Sequence, residues 1–486
     1  MKIRCVTTFL GLLFAVIIGF SHLSFAENRV SKDKEPEQDE NMPLADTEVL
    51  DLKTAQEISL RNNPSLAAAL ARVRQARARI EQAQSAYWPL VDASVSGSRI
   101  KLSENEEERS FFTGAFPGFS GDAFSTESPQ DYYSTSLTAS WVVFDGFERK
   151  FATAAAKYGY KESRAARQDA RRLLLAAVAN AYYNALLARE NIRIAEADEN
   201  FNLKQLKDAQ ARRRVGTGTL SDVLNFQVQI NAARSNKIAF QRSYHVALYG
   251  LAALMGIPDS TLPGDWKLTT LESEAPEEFG QPSPEQLIDY AEANRPDVLQ
   301  TVFATKRAEK AVGVERAPYY PEIRLIASLD GERVNSARFS EDDFGNTITL
   351  NLTYNLFAGG FYRASLAEAK YRQTEAEKVL EDTLIFAREE VHEAFTRLAS
   401  AQEQLLLQRN NAKLVRRNRE LVEKEYSAGE TSLVRLNEAQ RDLIQAESRL
   451  VLALASLRQA RQELLAATGQ ILIPFEKTPM TDDPDA

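Results

Sequence analysis

The residue types that most often do chemistry are scarce and scattered in this 486-residue sequence. Its single cysteine, Cys5, and its three histidines, His22, His245 and His392, are too few and too far apart for a Cys/His metal site or a disulfide framework. No Gly-x-Ser-x-Gly elbow, His-Glu-x-x-His pair or phosphate-cradling glycine loop occurs, so no nucleophile, metal or nucleotide chemistry is called for. The reading is of a protein that is not an enzyme and needs no cofactor. Glu104 to Arg109 is a charge run suited to a solvated loop. With 59 Lys and Arg against 68 Asp and Glu, the chain also lacks the basic footprint of a nucleic-acid binder. What remains are two glycine turns, Gly216-Thr217-Gly218-Thr219 and Gly429-Glu430-Thr431-Ser432. In each, glycine suits a left-handed helix C-cap, and the Thr or Ser that follows suits the N-cap of a returning helix.

The elements that would carry those turns are duplicated. Pro64 and Tyr87-Trp88-Pro89 recur as Pro296 and Tyr319-Tyr320-Pro321, shifted by 232. Further along, Phe144, Gly146, Gly216, Leu220 and Gly256 recur as Phe357, Gly359, Gly429, Leu433 and Gly469, shifted by 213. A constant shift over so many residues marks two copies of one unit, with 19 extra residues in a loop of the first copy.

Each copy opens with a helix rich in Ala, Arg and Gln that ends at the aromatic-Pro step. Period-two alternation follows, weakly over 90–143 and without an error from Asn346 to Leu356, and predicts a β-hairpin in each copy, 90–143 and 322–356. Their opposite faces are apolar and Thr/Ser/Asn, as in strands that cross a bilayer. Tyr87, Trp88, Phe144, Tyr319, Tyr320 and Phe357 stand where interfacial girdles would be. Four strands cannot close a barrel alone, which points to an oligomer. Then come helices of unusual length, 147–214 and 361–428, each with no internal proline. After the tip turns 215–219 and 429–432, return helices are predicted over 220–255 and 433–468.

Around the two copies, 51–257 and 285–470, Met1 to Ala26 reads as a signal peptide: Lys2 and Arg4, an apolar run too short to span a bilayer, then Ser24-Phe25-Ala26. Residues 27–50 are polar, acidic and expected to be disordered. The segment 258–284 is a Pro-rich linker, and 471–486 a tail. The mean hydropathy of −0.36 reads as a soluble protein, but a β-barrel leaves little trace in that average.

Helix, aromatic-Pro, hairpin, Phe-x-Gly, rod, glycine turn and return helix, twice over behind a signal peptide, resemble the TolC-like outer-membrane efflux protein family across residues 51–470. The segments Arg213-Arg214-Val215-Gly216-Thr217-Gly218-Thr219-Leu220-Ser221-Asp222-Val223-Leu224 and Tyr426-Ser427-Ala428-Gly429-Glu430-Thr431-Ser432-Leu433 are similar to the family's periplasmic tip motif. The resemblance implies a mainly α fold with a β-hairpin in each of two repeats, assembled as a homotrimer with a 12-stranded outer-membrane barrel and a 12-helix periplasmic α-barrel. Its implied partners are outer-membrane lipid, a periplasmic adaptor and an inner-membrane efflux or ABC transporter, in a Gram-negative bacterium. It places adaptor docking at Gly216, Thr217, Gly218, Leu220, Ser221, Gly429, Thr431, Ser432 and Leu433. It places a periplasmic gate at Asp222, Tyr426, Arg435 and Glu438. The pattern departs from the family at Thr431, where an Arg would complete the gate's polar links, and at Arg435, where a carboxylate would complete an acidic ring. The function so implied is a passive exit duct for efflux or secretion. The second reading is a periplasmic coiled-coil scaffold without channel activity.

Overall fold

A computed structural model describes residues 49–101, 129–264, 266–271 and 283–475. The expected signal peptide, nearly all of the leader and most of the long first-copy loop lie outside the described residues.

The described residues form two compact units. In the smaller, Val49–Leu50 pairs in parallel with Lys267–Leu268. Two expectations are thereby corrected: the leader is ordered at its last two residues, and the 258–284 linker contains a strand. Backbone pairing drives both, and composition does not register it.

The larger unit holds both repeats. Asp51 caps helix α1, Leu52–Asn62, by accepting from the Thr54 amide at 2.7 Å. Asn63 then caps α2, Pro64–Ser85, which starts on the proline. The corresponding pair in the second repeat is α5, Pro284–Asn294, and α6, Pro296–Val314. The rods are α3, Glu148–Arg214, and α7, Phe361–Ala428, of 67 and 68 residues, each about 100 Å long at ~1.5 Å per residue. The first rod begins one residue later than expected because Phe147 is left-handed, with φ of 71°. Return helices α4, Leu220–Leu254, and α8, Leu433–Thr468, pack along them.

The repeats also share a joint. The Asn63 amide donates to Leu254 O at 2.9 Å, and Arg295 Nη1 donates to Ala467 O at 2.8 Å. In both copies, therefore, the residue before the proline reaches the last carbonyls of a return helix, and α4 meets α2 end to end as α8 meets α6. Past α8 the tail is ordered to Phe475, where Gln470–Phe475 forms a 3-10 turn with Ile471 and Leu472 buried. This corrects the expectation of a tail from 471, since those two side chains find an apolar cluster with Leu175 and Ala466.

All four long strands make one antiparallel sheet, in the order β1, Leu90–Ile100; β2, Gln130–Asp145; β3, Glu322–Val334; β4, Phe344–Thr353. In the second hairpin β3 runs through Gly331 and β4 starts at Phe344, after a 3-10 turn at Glu341–Asp343. Strand β4 stops at Thr353, three residues before the alternation does. The hairpins join through β2 and β3, with Leu137 opposite Leu329, Ala139 opposite Ala327 and Trp141 opposite Leu325. Outside these, Val91 and Ala93 face Ala139 and Leu137, while Leu350 and Ile348 face Leu325 and Ala327. The registers thus stack the apolar residues of all four strands on one face. That face is bare: Val95 is 82 % exposed and Leu350 67 %. Among the described residues, both edge strands, β1 and β4, lack an outer neighbour.

Where the ladder slips between Val142 and Phe144, one side chain repairs it. Arg149 Nη1 donates to Val142 O at 2.6 Å, Nη2 to Val143 O at 3.1 Å, and Nε pairs with Asp145 at 2.6 Å. A bulge frees carbonyls from the ladder, and here the first turn of α3 supplies their donors. Gly146, at φ 63°, is required at this corner because a side chain there would strike the Ala317 carbonyl.

Candidate functional site

The two rods end in turns built by different hydrogen bonds. In the first, the amides of Thr217 and Gly218 converge on Arg212 O at 2.9 and 3.1 Å, joined by the Thr217 hydroxyl at 3.2 Å. Gly216 has φ of 84°. Thr219 and Asp222 then form a capping box: the Asp222 amide donates to Thr219 Oγ1 at 3.1 Å, and the Thr219 amide to Asp222 Oδ2 at 3.4 Å. In the second turn Gly429, at φ 81°, donates to Tyr426 O at 3.1 Å and the Glu430 amide to Glu425 O at 2.8 Å. Ser432 caps α8 by accepting from the Arg435 amide at 3.4 Å. These bonds satisfy part of the orphan backbone groups at the helix ends. The outward surface is left to Gly216, Thr217, Leu220, Ser221, Gly429 and Ser432, all exposed, with Gly218, Thr431 and Leu433 half-buried.

Just behind the turns, four helices meet on an apolar plug of Phe201, Val223, Phe226, Val422 and Leu436, against which Tyr426 and Leu433 pack. Polar links brace the same level. Gln205 Nε2 and Lys204 Nζ both reach Glu423 at 3.3 Å, and Asn437 donates to Asn225 at 2.9 Å. Arg419 pairs with Glu423 at 2.9 Å, donates to Gln440 at 2.9 Å and lies 4.1 Å from the Phe201 ring centroid. Gln440 in turn donates to Asp198 at 2.8 Å. Burial pushes the Asp198 carboxyl up from its ordinary value, opposed by bonds from Gln440 and Asn202 and by the charge of Arg419.

Of the gate residues named from the sequence, Asp222 and Tyr426 come together. Burial raises the Tyr426 hydroxyl above its ordinary pKa, the Asp222 charge adds to that shift, and Arg212 opposes it. Arg435 and Glu438 are exposed, and neither side chain has an ion-pair partner among the described residues. Arg212 is not among the residues named from the sequence; its guanidinium lies 5.1 Å from the Tyr426 ring centroid and donates to Ser427 O at 3.3 Å.

The aromatic residues at the sheet's helical end also cluster. Phe147 makes edge contacts with Phe144 at 5.4 Å and Tyr320 at 6.1 Å, and Tyr319 lies 6.5 Å from Tyr362. Tyr87, Trp88, Tyr319, Tyr320 and Phe357 are exposed, and Trp141, an alternating apolar residue of the first hairpin outside the expected girdle, donates to Tyr87 O at 3.0 Å. His245 and His392 are exposed, and no group of side chains that could hold a metal occurs among the described residues. No described helix is long and apolar enough to cross a membrane.

Comparison with known proteins matches the outer membrane efflux protein model to residues 56–257 and 287–470. The pyoverdine export outer membrane protein OpmQ of Pseudomonas aeruginosa is 28 % identical over 415 residues, covering 85 % of this chain and 83 % of that protein. The alkaline protease secretion protein AprF of the same species is 26 % identical over 360 residues, covering 72 % of this chain and 70 % of its own length. The solved structure of the outer membrane protein VceC from Vibrio cholerae superposes with a TM-score of 0.71 at 21 % identity, covering 86 % of this chain and 96 % of that one.

Proposed function

The chain belongs to the outer membrane efflux protein family, and from that premise we propose that three copies, each giving four strands, close one barrel in the outer membrane and one helical conduit in the periplasm. The protein is the exit duct of an efflux or secretion system. Cargo reaches it through a periplasmic adaptor from an inner-membrane transporter and leaves passively, driven by the transporter. One observation carries the reading: a sheet with two unpaired edges and a single bare apolar face. Unpaired edges are tolerated in hydrocarbon only when the sheet closes on itself, and four strands are too few to do so alone. A periplasmic scaffold would leave that face in water, and the relatives are outer-membrane proteins.

The turn residues Gly216, Thr217, Gly218, Leu220 and Ser221, with Gly429, Thr431, Ser432 and Leu433, form the adaptor-docking edge in this reading. Asp222, Tyr426, Arg435 and Glu438 line the periplasmic constriction, and the exposed aromatic residues anchor the barrel at one interface. With its side chains free of partners, the Arg435/Glu438 level presents both signs of charge to whatever passes. One relative is a pyoverdine export protein and another a protease secretion protein, so cargo in this reading is chosen by the transporter. The test is purified protein in planar bilayers, together with chemical cross-linking in detergent. Discrete channels and a trimer are expected; recovery from the periplasm without detergent, with no conductance, would sink the proposal.

A further inference from the structure

Three consecutive arginines, Arg212, Arg213 and Arg214, close the first rod, and only the first of them turns back. Arg213 and Arg214 are exposed, and neither side chain makes a hydrogen bond, ion pair or ring contact among the described residues. All three sit in the last helical turn, where any cation complements the helix dipole, so that general effect does not explain why one is folded against the other rod. Arg212 is half-buried. Its guanidinium stacks on the Tyr426 ring at 5.1 Å and donates to Ser427 O at 3.3 Å. Tyr426 is in turn seated on the apolar plug, and the fields of Asp222 and Arg212 act on its hydroxyl with opposite sign. The end of α3 and the end of α7 are thus joined at the last level before the turns, by a cation that approaches from the first repeat. Position 431, within the second turn, is a threonine and brings no charge.

We propose that Arg212 is the latch of the periplasmic constriction: stacked on Tyr426 and bonded to the Ser427 carbonyl, it ties the two rods of one chain together and so opposes their separation at the tip. The inference rests on the exit-duct reading above and goes beyond it by naming the side chain that ties the two rods of one copy at the tip. In this proposal the tip opens by movement of the α3–α4 pair from the α7–α8 pair, which would break the Arg212 contact. The plug and the Glu423 links lie deeper and hold the pairs as a hinge.

The test uses the full-length protein in planar bilayers and reads the ratio of open to closed channels. One partly exposed cation–π contact is worth about a twofold to fivefold change in such a ratio, so its loss in three copies raises the ratio about 10- to 100-fold. Arg212→Ala is expected to open the channel by that factor, and Arg212→Lys, which keeps a cation over the ring, by much less. Arg213→Ala and Arg214→Ala are expected to stay within about twofold of the unaltered protein, because neither side chain crosses to α7. Adding Thr431→Arg to Arg212→Ala is expected to restore closure by returning a cation to the level of Asp222. Equal effects of Arg212→Ala and Arg213→Ala, or none from either, would overturn the latch while leaving the duct standing. Absence of any conductance in the unaltered protein would overturn the duct reading and the latch with it.

Discussion

Arg295 is the residue whose loss should cost the fold most. It precedes α6, its side chain is only 2 % exposed, and it holds three partners at once: Asp297 at 2.6 Å, Glu390 at 2.7 Å and Ala467 O at 2.8 Å. Arg172, from the other repeat, stands 3.6 Å from the same Asp297 carboxylate and donates to Ala466 O at 3.2 Å. Arg295→Met keeps the volume and removes the charge. Stranding the partner of a buried ion pair costs about 3–5 kcal/mol. Here the lower end applies, because Glu390 is half exposed and regains water, and Arg172 still faces Asp297. The double variant Arg295→Met/Asp297→Asn removes the stranded charge, leaving the cost of the unpaired Ala467 carbonyl, about 1 kcal/mol. The double variant is therefore expected to be about 2 kcal/mol more stable than Arg295→Met, read from guanidinium unfolding followed by helical circular dichroism. Acid supplies an independent check. Burial alone would raise the Asp297 carboxyl, but the Arg295 fork, with Arg172 behind it, overrides burial and holds it below the ordinary value. A depressed carboxyl stabilises the folded state above its unfolded pKa, and that stability is lost as pH falls through the folded one. The gap between the unaltered protein and Arg295→Met should then narrow in acid. A loss under about 1 kcal/mol, or a double variant no better than the single, would refute this account.

Two further outcomes follow from other parts of the structure. The repeat offsets carry the Ala139–Ala327 pair of β2 and β3 onto Leu352 and Val95, so β4 of one copy should lie beside β1 of the next with those residues opposite. Facing Cα atoms about 4.5–5.5 Å apart are within disulfide reach, so oxidised Leu352→Cys/Val95→Cys protein should run as cross-linked dimers and trimers; stronger cross-linking from Leu350→Cys/Val95→Cys would mean that the register is wrong. At Asp198, burial raises the carboxyl, so the folded state binds its proton more tightly and stability falls as pH rises through the window above the ordinary carboxylate pKa. Asp198→Asn should flatten that slope in pH-dependent melts at a cost under about 1 kcal/mol, whereas Asp198→Ala, which orphans the Gln440 amide, should cost about 1–3 kcal/mol; an unchanged slope in Asp198→Asn would dismiss the assignment.

What could be read ahead of the structure was what is local in the chain. Period two marked the hairpins, proline-free Ala-rich runs marked the rods, and glycine followed by Thr or Ser marked the tip turns. Each depends on neighbours a few residues apart. Pairing of β2 with β3 joins strands nearly two hundred residues apart in sequence, and no periodicity encodes such a register. The bulge beside Val143 and its repair by Arg149 were hidden for the same reason, because an arginine in a helix's first turn looks like any solvated charge. Arg212 was hidden more deeply. Its neighbours Arg213 and Arg214 are chemically identical to it, and only the azimuth of the helix decides which one faces Tyr426.

The repeat itself, read together with burial, says more than either alone. Ile194 and Phe201 on α3 are 7 % and 9 % exposed, whereas Leu407 and Leu414, which occupy the same repeat positions on α7, are 68 % and 62 % exposed. The return helices show the reverse. Val451 on α8 is buried, and its repeat counterpart on α4, Ile238, is exposed. This inversion has a geometric cause. Within one chain α3 packs against α8, so the second half of the first rod and the outer face of the second return helix cover each other. The repeat-related surfaces, α7 and α4, have no such partner in the same chain, yet they keep large apolar side chains. Apolar residues conserved through a duplication but covered in only one of its copies would be a liability in a monomer. They are accounted for if α7 of one copy meets α4 of the next, which is the α3–α8 contact repeated between chains. The two free edges of the sheet call for the same neighbour in the same direction, β4 of one copy beside β1 of the next. A head-to-tail contact of this kind either closes into a ring or grows without end, and four strands per copy reach a closed barrel after a small number of copies.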